Sequence, residues 1–268
     1  MIDRIGLILA DIHLRDGVKF EDHEIDLEPI FRYALDLKPT MVALLGDTLD
    51  FSALWGCTKK SPDRIDFDSV RREIDEGNRL LSHIDKMFPK AERHYWIGNH
   101  EERLHQFVKK NPDFYNKNSR GIPSLKRDLK LVERGYKTHL QNDYFKFGKL
   151  FLSHGSYYSD RHSKQTIQAV GRNVAYGHVH DSQRHTIHSP VDSETRSSWS
   201  IPCLCKRDPE YCAGTPNRWV NGFGVVFVRP SGAFNLYIVD IVNGEFTAPN
   251  GKTYKSNKKN KIADWRKS

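Results

Sequence analysis

The chain has 268 residues, of which 38% are hydrophobic and 28% are charged, a balance typical of a globular protein. Its apolar runs are well short of the roughly 18 residues that a membrane-spanning helix needs, and the N-terminus has no signal-peptide pattern. The four cysteines are too sparse for a disulfide framework. The formal net charge of the chain is +8. We therefore expect a cytoplasmic protein without membrane contact, with a single domain over residues 1–250 and a basic tail over residues 251–268.

Five short apolar runs end in residues that can bind a metal ion. Runs this short, closed by glycine or a polar residue, are typical of buried strands. In chain order the runs are residues 5–10 before Asp11-Ile12-His13, 41–45 before Gly46-Asp47, 94–97 before Gly98-Asn99-His100, 150–152 before Ser153-His154-Gly155, and 174–176 before Gly177-His178-Val179-His180.

Helical periodicity lies between these strands, at residues 26–37, 67–88, 101–108 and 165–174. Strands that alternate with helices predict an α/β fold with a parallel-rich sheet. In such sheets, sites form at the carboxyl ends of the strands, which is where all five polar groups stand.

The last third of the chain predicts antiparallel strands at residues 186–188, 225–228 and 234–242, with turns at 229–232 and 242–244. We expect these strands to complete a second sheet that packs on the first.

The spacing within the polar groups favours metal ligation. On an extended segment, residues two apart point the same way, so Asp11 and His13 would project together, as would His178 and His180. The full candidate set is Asp11, His13, Asp47, Asn99, His154, His178 and His180. These ligands suffice for two ions if one carboxylate bridges, and their chemistry suits Mn²⁺, Fe or Zn²⁺ better than Ca²⁺.

The same residues resemble the calcineurin-like metallophosphoesterases. The signature of that family runs D-x-H, G-D-x-x-D, G-N-H-[DE], a lone His before Gly, and G-H-x-H. Here the blocks are Asp11-Ile12-His13, Gly46-Asp47-Thr48-Leu49-Asp50, Gly98-Asn99-His100-Glu101, His154-Gly155 and Gly177-His178-Val179-His180, in the family's order. The resemblance implies an α/β calcineurin-like phosphoesterase fold, with two packed mixed β-sheets flanked by helices.

The resemblance also implies a role for each residue in a metal-dependent phosphoester hydrolase. Asp11, His13 and His180 would hold a first ion, Asn99, His154 and His178 a second, with Asp47 bridging. A metal-bridging hydroxide would attack phosphorus in line. His100 would act as the catalytic acid or stabilise phosphoryl charge, and Asp50 would orient it, although Asp50 could instead be a cap or turn residue. Mn²⁺ is the expected metal, with Fe, Zn²⁺ and Ni²⁺ as alternatives.

Two departures bear on the substrate. Phe51 follows Asp50 where the protein phosphatases of the family carry an arginine, which argues against a protein phosphatase. Glu101 stands where the repair nucleases of the family usually carry aspartate, which weakens a close relationship with them.

Basic and aromatic residues near the motifs, together with the charge and a pI of about 9.2, favour a phosphodiesterase or nuclease acting on DNA or RNA. They are Trp55, Lys59, Lys60, Arg103, Tyr157, Tyr158, Arg161, His162, Lys164, Arg172, Arg218 and Trp219. Of these, Arg103, Tyr157 and Arg161 are the candidates for substrate binding. The alternatives are a phosphatase or phosphodiesterase of nucleotides or other small phosphoesters, and a non-catalytic binding protein on the same fold.

Two other groups of residues have less specific interpretations. Cys203, Cys205 and Cys212 are either reduced structural thiols or part of a small zinc site with His185 or His188. The histidines outside the motifs are interpreted as ordinary polar residues.

Overall fold

The described strands form two sheets and a small hairpin, and helices pack on the outer face of each sheet. In the computed structural model, the described residues are 2–56, 64–112, 124–209, 212 and 214–257. Cys57, Lys59, Lys60 and the predicted tail from residue 258 onward lie outside these ranges.

The described strands follow one another along the whole chain. They are β1 (Arg4–Leu9), β2 (Met41–Leu44), β3 (Glu92–Trp96), β4 (Tyr136–His139), β5 (Phe145–Phe147), β6 (Leu150–Ser153), β7 (Val174–Tyr176), β8 (Arg184–His188), β9 (Thr195–Ser200), β10 (Gly222–Val228), β11 (Phe234–Asp240), β12 (Glu245–Thr247) and β13 (Thr253–Lys255). The first sheet has the order β11-β10-β1-β2-β3-β4, the second has the order β5-β6-β7-β9-β8, and β12 pairs with β13.

Five α-helices are described: α1 (Glu28–Leu37), α2 (Phe67–Met87), α3 (Asn99–Lys110), α4 (Leu125–Asp128) and α5 (His162–Val170). Apolar residues of α1, α2 and α3 pack on one face of the first sheet. Short 3₁₀ turns occupy Phe20–Asp22 and Ser52–Leu54. The α5 helix packs on β8 and β9. None of the described helices is both long enough and apolar enough to cross a membrane.

The two sheets pack face to face through a second apolar cluster. Ile8 and Trp96 of the first sheet are fully buried there with Leu152 and Ala175 of the second. Burial of apolar side chains from both faces removes them from water and fixes the relative position of the sheets. The expected architecture of two packed mixed sheets flanked by helices is confirmed.

The distribution of the strands differs from the expectation of one sheet carrying every polar group. The strands before Asp11, Asp47 and Asn99 belong to the first sheet, whereas those before His154 and His178 belong to the second. The site therefore lies where the carboxyl ends of parallel strands from two sheets meet.

The late strands also divide between the sheets. The β8 strand joins the second sheet as expected, but β10 and β11 extend the first, with β10 antiparallel to β1 and Gly224 opposite Ile8. The nearly uniform apolar sequence of β10 suits this interior position. The predicted helix at residues 165–174 ends at Val170, because Gly171 takes a left-handed conformation (φ 64°) and β7 follows.

The chain beyond residue 250 continues the folded structure. Strand β13 pairs with β12, and buried Tyr254 donates a hydrogen bond from its hydroxyl to Asp36 Oδ2 at 2.8 Å. The expected start of the tail at residue 251 thus does not coincide with the end of the fold.

Helix α2 anchors the loop that follows β2 through a buried acid. Glu73 is fully buried, and its Oε2 accepts a hydrogen bond from the backbone N–H of Phe51 at 2.6 Å. Its other oxygen, Oε1, has no hydrogen-bond partner among the residues that the structure describes. Burial raises the pKa of Glu73 to about 8, and the nearby charge of Asp50 adds to the increase. The folded protein therefore retains a proton on Glu73 more readily than the unfolded chain does.

This difference predicts a pH-dependent gain of stability in Glu73→Gln. The stabilisation that proton binding gives the wild type is complete below about pH 4.5 and is lost as pH rises through about 8. Glutamine keeps an acceptor for Phe51 and carries no charge. We expect the variant to be more stable than the wild type at pH 9 by a few kcal/mol, and about equal at pH 4.5, in urea unfolding.

The matched control is Asp75→Asn, at an exposed position of the same helix. A gain for Glu73→Gln that is the same at both pH values would contradict the buried-proton explanation.

Candidate metal centre

The predicted ligands converge at the carboxyl ends of β1, β2, β3, β6 and β7. Asp11, His13, Asp47, His154 and His180 are buried, while Asn99 and His178 are partly exposed. Four groups of described side chains each bring their ligand atoms within 4.8 Å of one another, and two of them consist of predicted ligands alone. One group is Asp11, His13, Asp47 and His180, and the other is Asp47, His154 and His178. Asp47 belongs to both groups, which is the arrangement expected of a bridging ligand.

The first group has unpaired acceptors that fit a cation. Asp11 Oδ1 is buried and lies 3.3 Å from His180 Nε2, and among the described residues it has no hydrogen bond of good geometry. His13 Nδ1 donates a hydrogen bond to Asp50 Oδ1 at 2.9 Å. The Nε2 atom of the neutral His13 ring therefore carries a lone pair. That Nε2 lies 3.2 Å from His180 Nε2. A carboxylate oxygen and two ring nitrogens facing one another form a donor set for a divalent ion.

The second group has the same character. His154 donates from Nδ1 to the carbonyl of Leu45 at 2.6 Å, which leaves its Nε2 as an acceptor. Asn99 Oδ1 lies 3.0 Å from that nitrogen and 2.8 Å from His178 Nδ1. Asp47 Oδ2 is 3.5 Å from His154 Nε2 and 3.9 Å from His13 Nε2, between the two groups. The donors fit two divalent cations that share Asp47.

Electrostatics keeps the shared carboxylate ionised. Burial raises the pKa of Asp47, but the nearby imidazoles of His154, His100 and His13 outweigh burial and lower that pKa well below its usual range. At His180, burial lowers the pKa, but Asp11 outweighs it and raises the pKa to about 9. Burial lowers the pKa of His178 to about 4. Without metal, His180 thus holds a proton near neutral pH as counter-charge to the buried carboxylates, and a bound cation would displace it.

The backbone at the ligands is left-handed, which corrects the expectation of extended segments. The φ angles are 51° at Asp11, 52° at His13, 48° at Asp47, 75° at His178 and 62° at His180. The strands end before these residues, so the side chains converge through tight loops and not through strand alternation. Such conformations are uncommon for residues with a Cβ and store strain that the surroundings must offset.

Two motif glycines are required because the chain packs directly on ligand carboxylates. A Cβ on Gly98 would clash with the carboxylate of Asp47, and a Cβ on Gly177 would lie 2.6 Å from Asp11 Oδ2. Because the backbone lies so close to these carboxylates, backbone N–H groups near the glycines can donate hydrogen bonds to them. His100 N donates to Asp47 Oδ1 at 2.9 Å, and His178 N donates to Asp11 Oδ2 at 2.8 Å.

Glu101 has a positioning role that the sequence did not reveal. Its carboxylate is buried and accepts hydrogen bonds from the backbone N–H groups of Asp47, Thr48, Leu49 and Gly98, at 2.7–3.1 Å, and from the hydroxyl of Tyr95 at 3.1 Å. Burial and the charge of Asp47 raise the pKa of Glu101 to about 7. The position of Glu101 in the G-N-H-[DE] block marked it as a motif residue. The sequence did not indicate which N–H groups its carboxylate would bind.

Asp50 and His100 lie together as predicted, with a difference in the contact. His100 donates from Nδ1 to the backbone carbonyl of Asp50 at 2.6 Å, and Asp50 Oδ1 lies 3.3 Å from the same nitrogen. The Asp50 carboxylate also binds His13, so it serves two histidines and caps no helix. Burial lowers the pKa of His100, but Asp50 and Asp47 outweigh burial and raise that pKa above its ordinary value.

Of the three predicted substrate-binding residues, only Arg103 is brought to this centre. Its Nη1 lies 3.1 Å from His100 Nδ1, and its guanidinium stacks over Trp55 at 5.0 Å. Tyr157 and Arg161 are exposed in the loop before α5, and within the described residues no hydrogen bond or ion pair joins them to the ligands.

A cleft of about 600 Å³ opens beside the second group of ligands. It is lined by His178, Tyr158, Trp219 and the Arg218–Asp160 ion pair (3.1 Å), among others. The Trp219 ring contacts the His180 ring edge-on, with centroids 4.2 Å apart. Trp219 lies far from the motifs in sequence, so its contact with a ligand had no local signal.

The cysteines and the remaining histidines mostly follow the simpler interpretation. Cys203, Cys205 and Cys212 are free thiols, and no metal-binding group within the described residues combines them with His185 or His188. Cys205 Sγ instead lies 3.8 Å from His180 Nδ1, and Cys205 forms a buried group with His13 and His180 whose ligand atoms lie within 4.8 Å of one another. His162 bonds to Tyr176 and Asp181 and ties α5 to β7.

No protein-family model and no curated protein matches the sequence. Among solved structures, the crystal structure of a dimetal phosphatase from Danio rerio aligns with a TM-score of 0.46 and 10% identity, over 86% of this chain and 94% of that one. A second solved structure aligns with a TM-score of 0.43 and 10% identity, over 88% of this chain and 98% of its own. At similarities this low, neither match identifies the function of this chain.

The shared position of Asp47 predicts different metal contents for two variants. Glycine accepts the left-handed φ at both positions, so Asp11→Gly and Asp47→Gly remove ligands without adding backbone strain. We expect the wild type to bind two Mn²⁺ ions per chain, Asp11→Gly about one, and Asp47→Gly none tightly, by elemental analysis after gel filtration. One tightly held ion in Asp47→Gly would show that Asp47 does not bridge.

Proposed function

We propose that this chain is a calcineurin-like metallophosphoesterase that uses two divalent metal ions to hydrolyse phosphodiester bonds in nucleic acid. The observation that carries the proposal is the pair of buried ligand groups joined by Asp47. Two ions held in this way would lower the pKa of bound water and offset the charge of a phosphate. Mn²⁺ is the proposed metal, since the predicted ligands are imidazole, carboxylate and amide groups, which suit it.

The residues around the ligands support this chemistry. His100 donates a hydrogen bond from Nδ1 to the Asp50 carbonyl, and Asp50 and Asp47 raise its pKa, so the doubly protonated ring would carry an Nε2 proton to donate to a departing oxygen. The ring of His100 stands perpendicular to that of ligand His13, with centroids 4.4 Å apart, which keeps the acid next to the first group. Arg103 adds a fixed positive charge beside His100 for a phosphoryl oxygen.

Aromatic rings on both sides of the ligands favour nucleic acid as the substrate. Trp219 contacts His180 on one side, and on the other Arg103 stacks on Trp55, whose side chain is 57% exposed. Rings of this kind can stack on bases while a phosphate lies between them at the metal ions. The net charge of +8 supports a polyanionic partner.

A nucleotide or other small phosphoester is the second candidate, and the cleft beside His178 favours it. A volume of about 600 Å³ is in the range of small-molecule sites, and a single nucleotide would occupy it without a longer strand.

A substrate panel with Mn²⁺-loaded protein tests the proposal. The substrates are p-nitrophenyl phosphate, bis-p-nitrophenyl phosphate, cyclic nucleotides and single-stranded DNA. We expect the bis-ester and DNA to be cleaved and the monoester to react slowly. Faster turnover of the monoester, or of cyclic nucleotides without cleavage of DNA, would favour the small-ester alternative, and no turnover of any ester would refute hydrolysis.

His100→Ala separates proton donation from metal binding. We expect two bound Mn²⁺ ions and a kcat for the bis-ester lower by about 10²–10⁴-fold, since a general acid contributes rate enhancements of that order. The control is His105→Ala, at an exposed position of the same helix, which should match the wild type. Loss of metal together with activity in His100→Ala would assign His100 to ligation instead.

A further inference from the structure

A second concave surface lies on the outer face of the second sheet. It encloses about 260 Å³ and is lined by Lys146, Lys149, Phe151, Arg172, Asn173, Glu194 and Arg196. We call it the basic pocket. Phe145 and Phe147 pack inward on either side of Lys146, so Lys146 and its partner Phe151 face outward, away from the sheet interface. The pocket is therefore open to solvent across several strands.

The charge of the basic pocket is mostly uncompensated. Within the described residues, Lys146, Lys149 and Arg172 are exposed and form no ion pair. Arg196 bonds to Asp192 and Glu194 at 2.5 and 2.7 Å, so the carboxylate of Glu194, which lines the pocket, is already paired. Three free cations around one small cavity create a positive potential that an anion would offset.

The pocket also provides a neutral donor and an aromatic face. Asn173 Oδ1 accepts a hydrogen bond from Ser197 N at 2.9 Å, and its Nδ2 donates none within the described residues. The half-buried ring of Phe151 stands among the cations. Cations and an amide donor suit phosphate oxygens, and an aromatic ring suits a base.

The position of the pocket relates it to the metal centre. The pocket lies at the beginnings of β6 and β7, and the ligands lie at the ends of the same strands. His154 follows Lys149 by five residues, and His178 follows Asn173 by five, a separation of about 16 Å along the strands. Helix α5, with the sequence HSKQTIQAV, lies in the connection from the end of β6 to the beginning of β7 and carries no acidic residue.

We propose that the basic pocket binds the phosphate backbone of a single-stranded nucleic acid about five nucleotides from the phosphate held at the metal centre. The number follows from a rise of about 3.4 Å per nucleotide in a stacked strand over about 16 Å. That the ligand is nucleic acid rests on the function proposed above, whereas an anion site rests on the pocket itself. The pocket would give longer strands an affinity that short ones lack.

The test is binding of fluorescein-labelled phosphorothioate oligothymidylates of 4 and 12 nucleotides, whose backbone resists cleavage, to the Mn²⁺-loaded 268-residue chain, by anisotropy. The variant is Lys146→Glu/Lys149→Glu. Its matched control is Lys86→Glu/Lys90→Glu, which makes the same change in net charge at the exposed end of α2. We expect the pocket variant to bind the 12-mer at least about tenfold more weakly, with a smaller salt dependence, and the 4-mer as the wild type does.

Equal weakening by both double variants would attribute the effect to net charge and overturn the proposal, as would unchanged 12-mer binding by the pocket variant. Stronger binding of phosphatidylserine vesicles than of the 12-mer by the wild type would also overturn it. Turnover of bis-p-nitrophenyl phosphate by all three Mn²⁺-loaded proteins reports separately on the proposed function. If the pocket variant loses 12-mer binding and no protein cleaves the ester, the proposal for the basic pocket is supported and the proposal of hydrolase activity is refuted.

Discussion

The position of the candidate metal centre depends on one buried carboxylate. Glu101 accepts four backbone N–H groups from the loop after β2 and from Gly98. These contacts join two loops of the first sheet and hold Asp47 at the point that both ligand groups share. A carboxylate that receives this many donors is strongly bound to them, and its loss would leave several buried N–H groups without partners. Asp47 can thus lie between two sets of ligands because a second acid fixes its backbone.

The other half of the centre comes from a different sheet. His154 is tied to the first sheet by its hydrogen bond to the Leu45 carbonyl, and Gly177 packs against the carboxylate of Asp11. Apolar packing between Ile8, Trp96, Leu152 and Ala175 holds the sheets in this relation. The interface between the sheets is consequently part of the site. A small shift of one sheet would move the metal-ligand residues of that sheet away from those of the other sheet.

Most of the ligand set and the main strands could be predicted from sequence, because polar residues directly after short apolar runs are a local signal. The sequence did not show to which sheet each strand belongs, because strand pairing depends on residues far apart in the chain. The apolar pattern of β10 suits either sheet, and its pairing with β1 spans most of the chain. The conformation of Asp11 and His13 was also missed, since spacing alone does not distinguish an extended segment from a left-handed one. Trp219 reaches His180 only through tertiary folding, and Glu101 was recognised as a motif residue without its hydrogen bonds.

The left-handed backbone at the ligands limits which amino acids these positions can accept. Asparagine, aspartate and histidine tolerate positive φ better than other residues with a side chain, and they are also good metal ligands. At Asp11, Asp47 and His180, backbone shape and donor chemistry therefore select the same few residue types. Threonine or valine would be rejected on steric grounds alone, even where loss of a ligand was harmless. A homologue that had lost the metal centre would accordingly be expected to drift toward glycine or asparagine at these sites, so the loop geometry could outlast metal binding.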